Sequence, residues 1–204
     1  MFALVDKSDN SITRMLSGSQ GITLDGIQHP KAIFTLWSEA ERNAINIYTI
    51  EMDNSKRKDE EWYINTNVTY SFDGSKVTGS YGDATARAHA DTLFTAQDES
   101  DGKGTEGDVK DEGLKTKLIR SIKSQAEGEL NKTDWYITRK AEKDTAIPSA
   151  VSTHRDAVRS KQAEMETAIT NASDTPALET LYTYTTQEDG STTRPLGELP
   201  TKDF

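Results

Sequence analysis

The chain has three histidines, His29, His89 and His154, and no cysteine. Thiol nucleophiles, thiolate metal sites and disulfides are therefore excluded. No two of the histidines stand at the His-Glu-x-x-His spacing that places a pair of metal ligands on one helix face. His154 falls on an apolar helical stripe, where it reads as a packing residue rather than a ligand. His154-Arg155-Asp156 copies a kinase catalytic tripeptide, but the Gly-rich loop, partner lysine and metal-binding Asn that phosphoryl transfer needs do not accompany it. Gly18-Ser19-Gln20-Gly21 lacks the nucleophile-elbow spacing, and no Walker loop or dinucleotide fingerprint occurs. Carboxylates are numerous, yet none form a pair that sequence spacing would hold at a glycosidase separation. No catalytic residue, cofactor site or metal ligand is nominated, and a non-enzymatic protein is expected.

Charge narrows the partners. Thirty-four acidic against 24 basic side chains leave a formal charge of -10, which repels phosphate backbones and anionic headgroups, so neither nucleic acid nor membrane is an expected partner. The one basic run, Lys56-Arg57-Lys58, is followed by Asp59-Glu60-Glu61 and reads as a solvated loop. Asp98 to Glu112 holds seven acids, two lysines and three glycines, a composition too poor in apolar surface to offset its ordering entropy, and reads as a linker. A calcium loop is the sharper alternative. Its spacing departs from the EF-hand, because Ser100 takes the third position, Gly102 falls one residue early and the closing Glu is missing. Hydrophobic residues are only 33% of the chain, low for a globular domain, so part of the chain is expected to be linker, tail or surface that a partner covers. The amino terminus lacks the pattern of a signal peptide, and no apolar run reaches membrane-spanning length.

The elements that would position any site fall into two halves. Phe2-Ala3-Leu4-Val5 and Ile12-Thr13-Arg14-Met15-Leu16 flank a polar turn and predict a β-hairpin. Ser38 and Glu41 stand at capping-box spacing, predicting a short helix with Phe34, Trp37, Ala40, Ala44 and Ile45 on one face. Period-two alternation predicts strands over 45–52 and 62–70, and Asp73-Gly74 predicts a tight turn into 76–81. Ala84 to Gln97 reads as a helix by propensity. Beyond it, Leu114, Leu118, Ile122, Ala126 and Leu130 recur every four residues. Thr133 or Asp134 caps a second helix with Trp135, Ile137 and Ala141 inward, and Pro148 opens a third with Val151, Val158, Met165 and Ile169 inward and Arg155 and Arg159 outside. The expected fold class is α+β: a small antiparallel β unit with a short helix, an acidic linker, a helical hairpin and an extended tail. The domains are 1–97, β-rich with a trailing helix; 98–112, linker; 113–174, helical hairpin; and 175–204, tail.

With those elements placed, Thr133-Asp134-Trp135-Tyr136 through Ala146-Ile147-Pro148 to His154-Arg155-Asp156-Ala157-Val158-Arg159 resembles a helical module of tail proteins of tailed bacteriophages, related to that of tail-fibre assembly proteins. Phe34 to Tyr48 resembles another phage tail-region segment, with Asn46 where Gly is expected; Asn tolerates positive φ best after Gly. Together with Thr175-Pro176-Ala177-Leu178-Glu179-Thr180-Leu181-Tyr182, the chain is similar to small virion-associated proteins of marine phages, cyanophages and pelagiphages among them. The resemblance covers about two thirds of the chain and implies no catalytic residues. It implies a structural or adaptor role in the virion tail, after synthesis in the host cytoplasm, with other tail or fibre subunits as partners and a homo-oligomeric or multi-copy state; the alternative is a fibre-assembly chaperone that does not stay in the particle. Trp37, Trp135, Tyr182, Tyr184 and Phe204 are the candidate protein-interaction residues. Trp135 is also read as core, so neutrality of its truncation to alanine would mark it as an interface residue instead.

Overall fold

A computed structural model describes residues 1–204. The protein is α+β, and its chain divides into two compact units, Met1–Thr85 and Ala86–Phe204.

In the first unit, β1 (Phe2–Asp6) and β2 (Ser11–Leu16) form the expected hairpin, with Asp6 and Asp9 accepting the amides of Ser8 and Ser11 in the turn. A second small hairpin follows, β3 (Ile22–Leu24) with β4 (Ile27–His29), and then a 3-10 turn, Lys31–Phe34, buries Ile33 and Phe34. Helix α1 (Glu39–Ala44) carries the predicted capping box: the Ser38 hydroxyl accepts the Glu41 amide while the Glu41 carboxylate accepts the Ser38 amide. Asn46, at φ 62°, makes the positive-φ step into β5 (Ile47–Asp53). The segment predicted as one strand over 62–70 is broken: β6 (Tyr63–Ile64) and β7 (Thr69–Phe72) are separated by Asn67 at φ 59°. Asp73-Gly74 closes β7 onto β8 (Val77–Ser80), with the Asp73 carboxylate accepting the amides of Ser75 and Lys76 and held down to about 2 by those bonds, Lys76 first.

The main sheet runs β2-β1-β5-β8-β7. It is mixed rather than antiparallel as expected, because β5 and β8 pair in parallel across the long excursion between them. Its edges β2 and β7 approach one another, so the sheet curls. Two apolar groups fill it, Ala3, Val5, Tyr48, Phe72 and Val77 in one and Leu16, Ile22, Ile33, Phe34 and Ile47 in the other.

The second unit departs from expectation at its start. Most of the stretch predicted as a helix, Ala84 to Gln97, is not helical: β9 (Thr85–Ala86) spans the boundary between the units, β10 (Thr92–Leu93) follows, and only Ala96 and Gln97 at its end enter a helix. Propensity loses because this segment is needed as a cap. The carbonyls of Ala88 and His89 accept the amides of Leu114 and Lys115, and Asp91 accepts the Gly113 amide at 2.7 Å and the Thr116 hydroxyl at 2.8 Å. The amides among those donors are the orphan groups of a helix start, and the bonds from Gly113, first, and Thr116 lower the pKa of Asp91. Gly113 is required by close approach, since a Cβ there would lie 2.4 Å from the Ala90 carbonyl.

The stretch expected as an acidic linker, Asp98 to Glu112, carries regular structure. Helix α2 (Ala96–Ser100) has a Thr95/Asp98 capping box, and β11 (Val109–Asp111) pairs with β10. Asp98 organises it, accepting the Thr95 amide and hydroxyl and the Lys110 ammonium. Those bonds, the Thr95 amide first, hold its carboxyl down to about 2. Composition could not reveal this, because the ordering comes from charge-assisted hydrogen bonds rather than apolar burial.

Helices α3 (Leu114–Asn131) and α5 (Ser149–Asn171) form the predicted hairpin. They are antiparallel: Lys115 near the start of α3 donates to Thr170 near the end of α5, while Arg155 near the start of α5 reaches Leu130 at the end of α3. Leu114, Ile122 and Ala126 on α3, and Val151, Val158, Met165 and Ile169 on α5, are buried, as their spacing predicts. Between the arms lies α4 (Asp134–Lys143), which buries no residue, and its left-handed C-cap is Asp144. Helix α6 (Thr175–Tyr182) is capped by Asp174 and tied back by the Thr175 hydroxyl donating to Arg87 O. A two-residue hairpin, β12 (Thr185–Thr186) with β13 (Thr192–Thr193), precedes the final segment. No helix is long and apolar enough to cross a membrane.

Candidate functional site

Arg155 was expected on the outside of the third helix, and the structure buries it, at 9% exposure. From α5 its Nη1 lies 2.7 Å from each of three oxygens: Leu130 O, Thr133 Oγ1 and Asp134 Oδ1. The Thr133 hydroxyl in turn donates to Leu130 O, and Thr133 is fully buried. The Thr133-Asp134 pair therefore does not cap α4 through a side chain. It is the corner where α3 turns into α4, nailed to α5 by a guanidinium. Thr133-Asp134 and Arg155, more than twenty residues apart in sequence, meet in this one contact.

The corner explains where Trp135 points. Because Thr133 and Asp134 are turned to Arg155, the next residue is rotated outward, and Trp135 is 51% exposed with Ile137 at 41%. This corrects the expectation that Trp135, Ile137 and Ala141 face inward. The half-buried side of α4 is Tyr136 and Arg139 instead. Arg139 stands one turn beyond Trp135 and lies 4.8 Å from the centroid of its ring and 5.6 Å from that of Tyr136, whose ring touches Trp135 at 3.8 Å between centroids. Trp135, Tyr136 and Arg139 thus make a stacked platform on an anchored helix. The i, i+4 spacing of Trp135 and Arg139 was a readable signal of that stacking.

The other candidates sit elsewhere. Trp37 belongs to the first unit, half-buried, edge-on to His29 at 5.9 Å and packed against the group around Ile33. Tyr182 and Tyr184 are brought together by Arg194, whose guanidinium lies 5.0 Å and 5.3 Å from their ring centroids. Glu198 completes the clasp, accepting from the Tyr184 hydroxyl at 2.6 Å and pairing with Arg194 at 2.8 Å. Acting as acceptor, Glu198 raises the Tyr184 pKa. Leu196 is buried between these residues in sequence, and its amide donates to Leu181 O. The segment after Tyr184, expected as an extended tail, is held to the unit through these contacts. Phe204, 45% exposed, covers His154 at 5.2 Å between ring centroids. His154 is buried as expected, although its Nε2 has no hydrogen-bond partner.

An open groove of about 710 Å³ beside α5 is lined by Leu130, Arg159, Gln162, Glu166 and their neighbours. Its ionisable groups are engaged elsewhere, Glu166 with Lys123 and Arg159 with Asp156. In the stretch weighed as a calcium loop, Asp98 and Asp101 spend their oxygens on Thr95, Lys110, Gln97 and Lys103. In the basic run, Lys56 pairs with Asp83 and Arg57 with Glu60. No protein-family model, curated protein or solved structure matches the chain.

Proposed function

We propose that the protein is a non-enzymatic structural or adaptor subunit of a bacteriophage tail, binding neighbouring tail or fibre subunits and present in several copies. The observation that carries the proposal is the Arg155 corner. It holds a short helix in which no residue is fully buried and whose exposed tryptophan ring is stacked on an arginine. A helix with no buried residue contributes little packing to its own unit, and Trp, Tyr and Arg are the residues enriched at interface hot spots. The resemblance of the segments meeting at this corner to phage tail modules supplies the identity of the partners.

Mass spectrometry of purified virions tests the assignment. A tail subunit is recovered in stoichiometric amounts, whereas a fibre-assembly chaperone is absent or present in trace. Crosslinking of the particle through a photoreactive residue at position 135 then identifies the neighbour; a crosslink to no tail or fibre subunit refutes the role given to Trp135.

A further inference from the structure

The second unit carries another exposed apolar feature, on the segment that composition marked as linker. Leu93 and Val109 are direct cross-strand partners of the β10–β11 hairpin, 48% and 49% exposed. Facing pairs of this kind form one surface. They are set in the most acidic part of the chain. Asp98, Asp101 and Glu112 have lysine or arginine partners, but Glu106, Asp108 and Asp111 have none; Asp108 precedes Val109 and Asp111 stands two residues after it, on the same face of the strand. On α4 the balance is reversed. Trp135 is exposed, and Arg139 and Lys143 have no carboxylate partner although Lys140 pairs with Asp144, against a single unpaired carboxylate on the helix surface, Glu142.

We infer that a second copy of this chain docks its α4 on the β10–β11 hairpin, Trp135 landing on Leu93 and Val109 while Arg139 and Lys143 face Asp108 and Asp111. The two surfaces are complementary, with an apolar centre on each, an excess of unpaired cations on one and of unpaired carboxylates on the other. One chain cannot satisfy itself. The hairpin joins the first turn of α3 and α4 joins its last, and 18 helical residues separate the two by ~27 Å. Contact between unlike surfaces at opposite ends of a rigid rod is head-to-tail, so it repeats from copy to copy and closes into a ring or extends. The inference deepens the binding role given to Trp135 but does not depend on the phage assignment.

The test is light scattering of the full chain across protein concentration and salt. Wild-type mass rises beyond the monomer with concentration and falls back at high salt. Arg139→Glu/Lys143→Glu and Asp108→Lys/Asp111→Lys chains each stay monomeric, and mixing them restores assembly, because every contact in the mixture again pairs opposite charges. A second pair keeps the charges: Trp135→Ala and Leu93→Ser/Val109→Ser each stop growth, and their mixture stops at the dimer because only one contact remains intact. Circular dichroism confirms that α3 and α5 persist in each variant. A wild-type chain that is monomeric up to its solubility limit, or a charge-swapped mixture that stays monomeric, overturns the inference while leaving virion mass spectrometry free to support the tail assignment. Assembly that survives either charge reversal alone also overturns it.

Discussion

Replacing Arg155 with methionine isolates what holds the α3–α4 corner, because the stem's packing survives and only the donors are removed. The side chain is 10% exposed and its Nη1 approaches three oxygens at 2.7 Å. That nitrogen has two hydrogens, so at most two of the three bonds are strong at once. The Asp134 bond counts for ~0–1 kcal/mol, since its carboxylate is half in water. Thr133 Oγ1 and Leu130 O keep each other as partners when Arg155 is lost, so neither is orphaned. The remaining charge-assisted bond contributes ~1.5–3 kcal/mol. Arg155→Met should therefore lower the stability of the second unit by about 2–3 kcal/mol, equivalent to roughly 8–12 °C in Tm for a domain near this size. Helical circular dichroism through urea or heat reads it, since the long helices all lie in this unit. Arg155→Lys should recover less than half of the loss, because an ammonium cannot span acceptors as a planar guanidinium does. A change below about 0.5 kcal/mol in Arg155→Met, within the range of ordinary surface substitutions, would refute the pinned corner.

Trp135→Ala should alter stability by about 1 kcal/mol or less, since the ring is half exposed and loses mainly its stacking with Arg139, yet it should weaken partner binding; a core-sized loss of ~3–5 kcal/mol would put the ring back inside. Ending the chain after Tyr184 should lower the second unit's melting temperature by several degrees, because it removes buried Leu196 and the Arg194–Glu198 clasp; an unchanged melt would show the segment is not held. The α2 hairpin should loosen in acid. The Asp98 carboxyl is held down to about 2 against an ordinary 3.8, so its contribution is complete above pH ~4 and is lost as pH falls toward 2. Amide exchange at Thr95 and Lys110 follows this, and Asp98→Asn should flatten the response; equal acid sensitivity in the variant would sink the assignment.

Local rules and periodicity accounted for much of the architecture. The β1–β2 and β7–β8 hairpins, the Ser38–Glu41 capping box, Asn46 at positive φ and the apolar stripes of α3 and α5 depend on residues within a few positions of one another, which is the range over which hydrogen bonding and helical or strand period can be read. What the sequence alone could not decide depended on partners far along the chain. The alanine-containing stretch before α2 is extended because Asp91 and the carbonyls of Ala88 and His89 cap a helix that begins more than twenty residues later. The acidic stretch orders because Lys110 returns to Asp98. Arg155 is buried because Thr133 and Asp134 await it across the hairpin, and the exposure of Trp135 follows from that contact rather than from any property of tryptophan. A charged or aromatic side chain reads as surface or core by its type, but tertiary hydrogen bonds set which way the backbone turns it, and they are decided only when the distant segments meet.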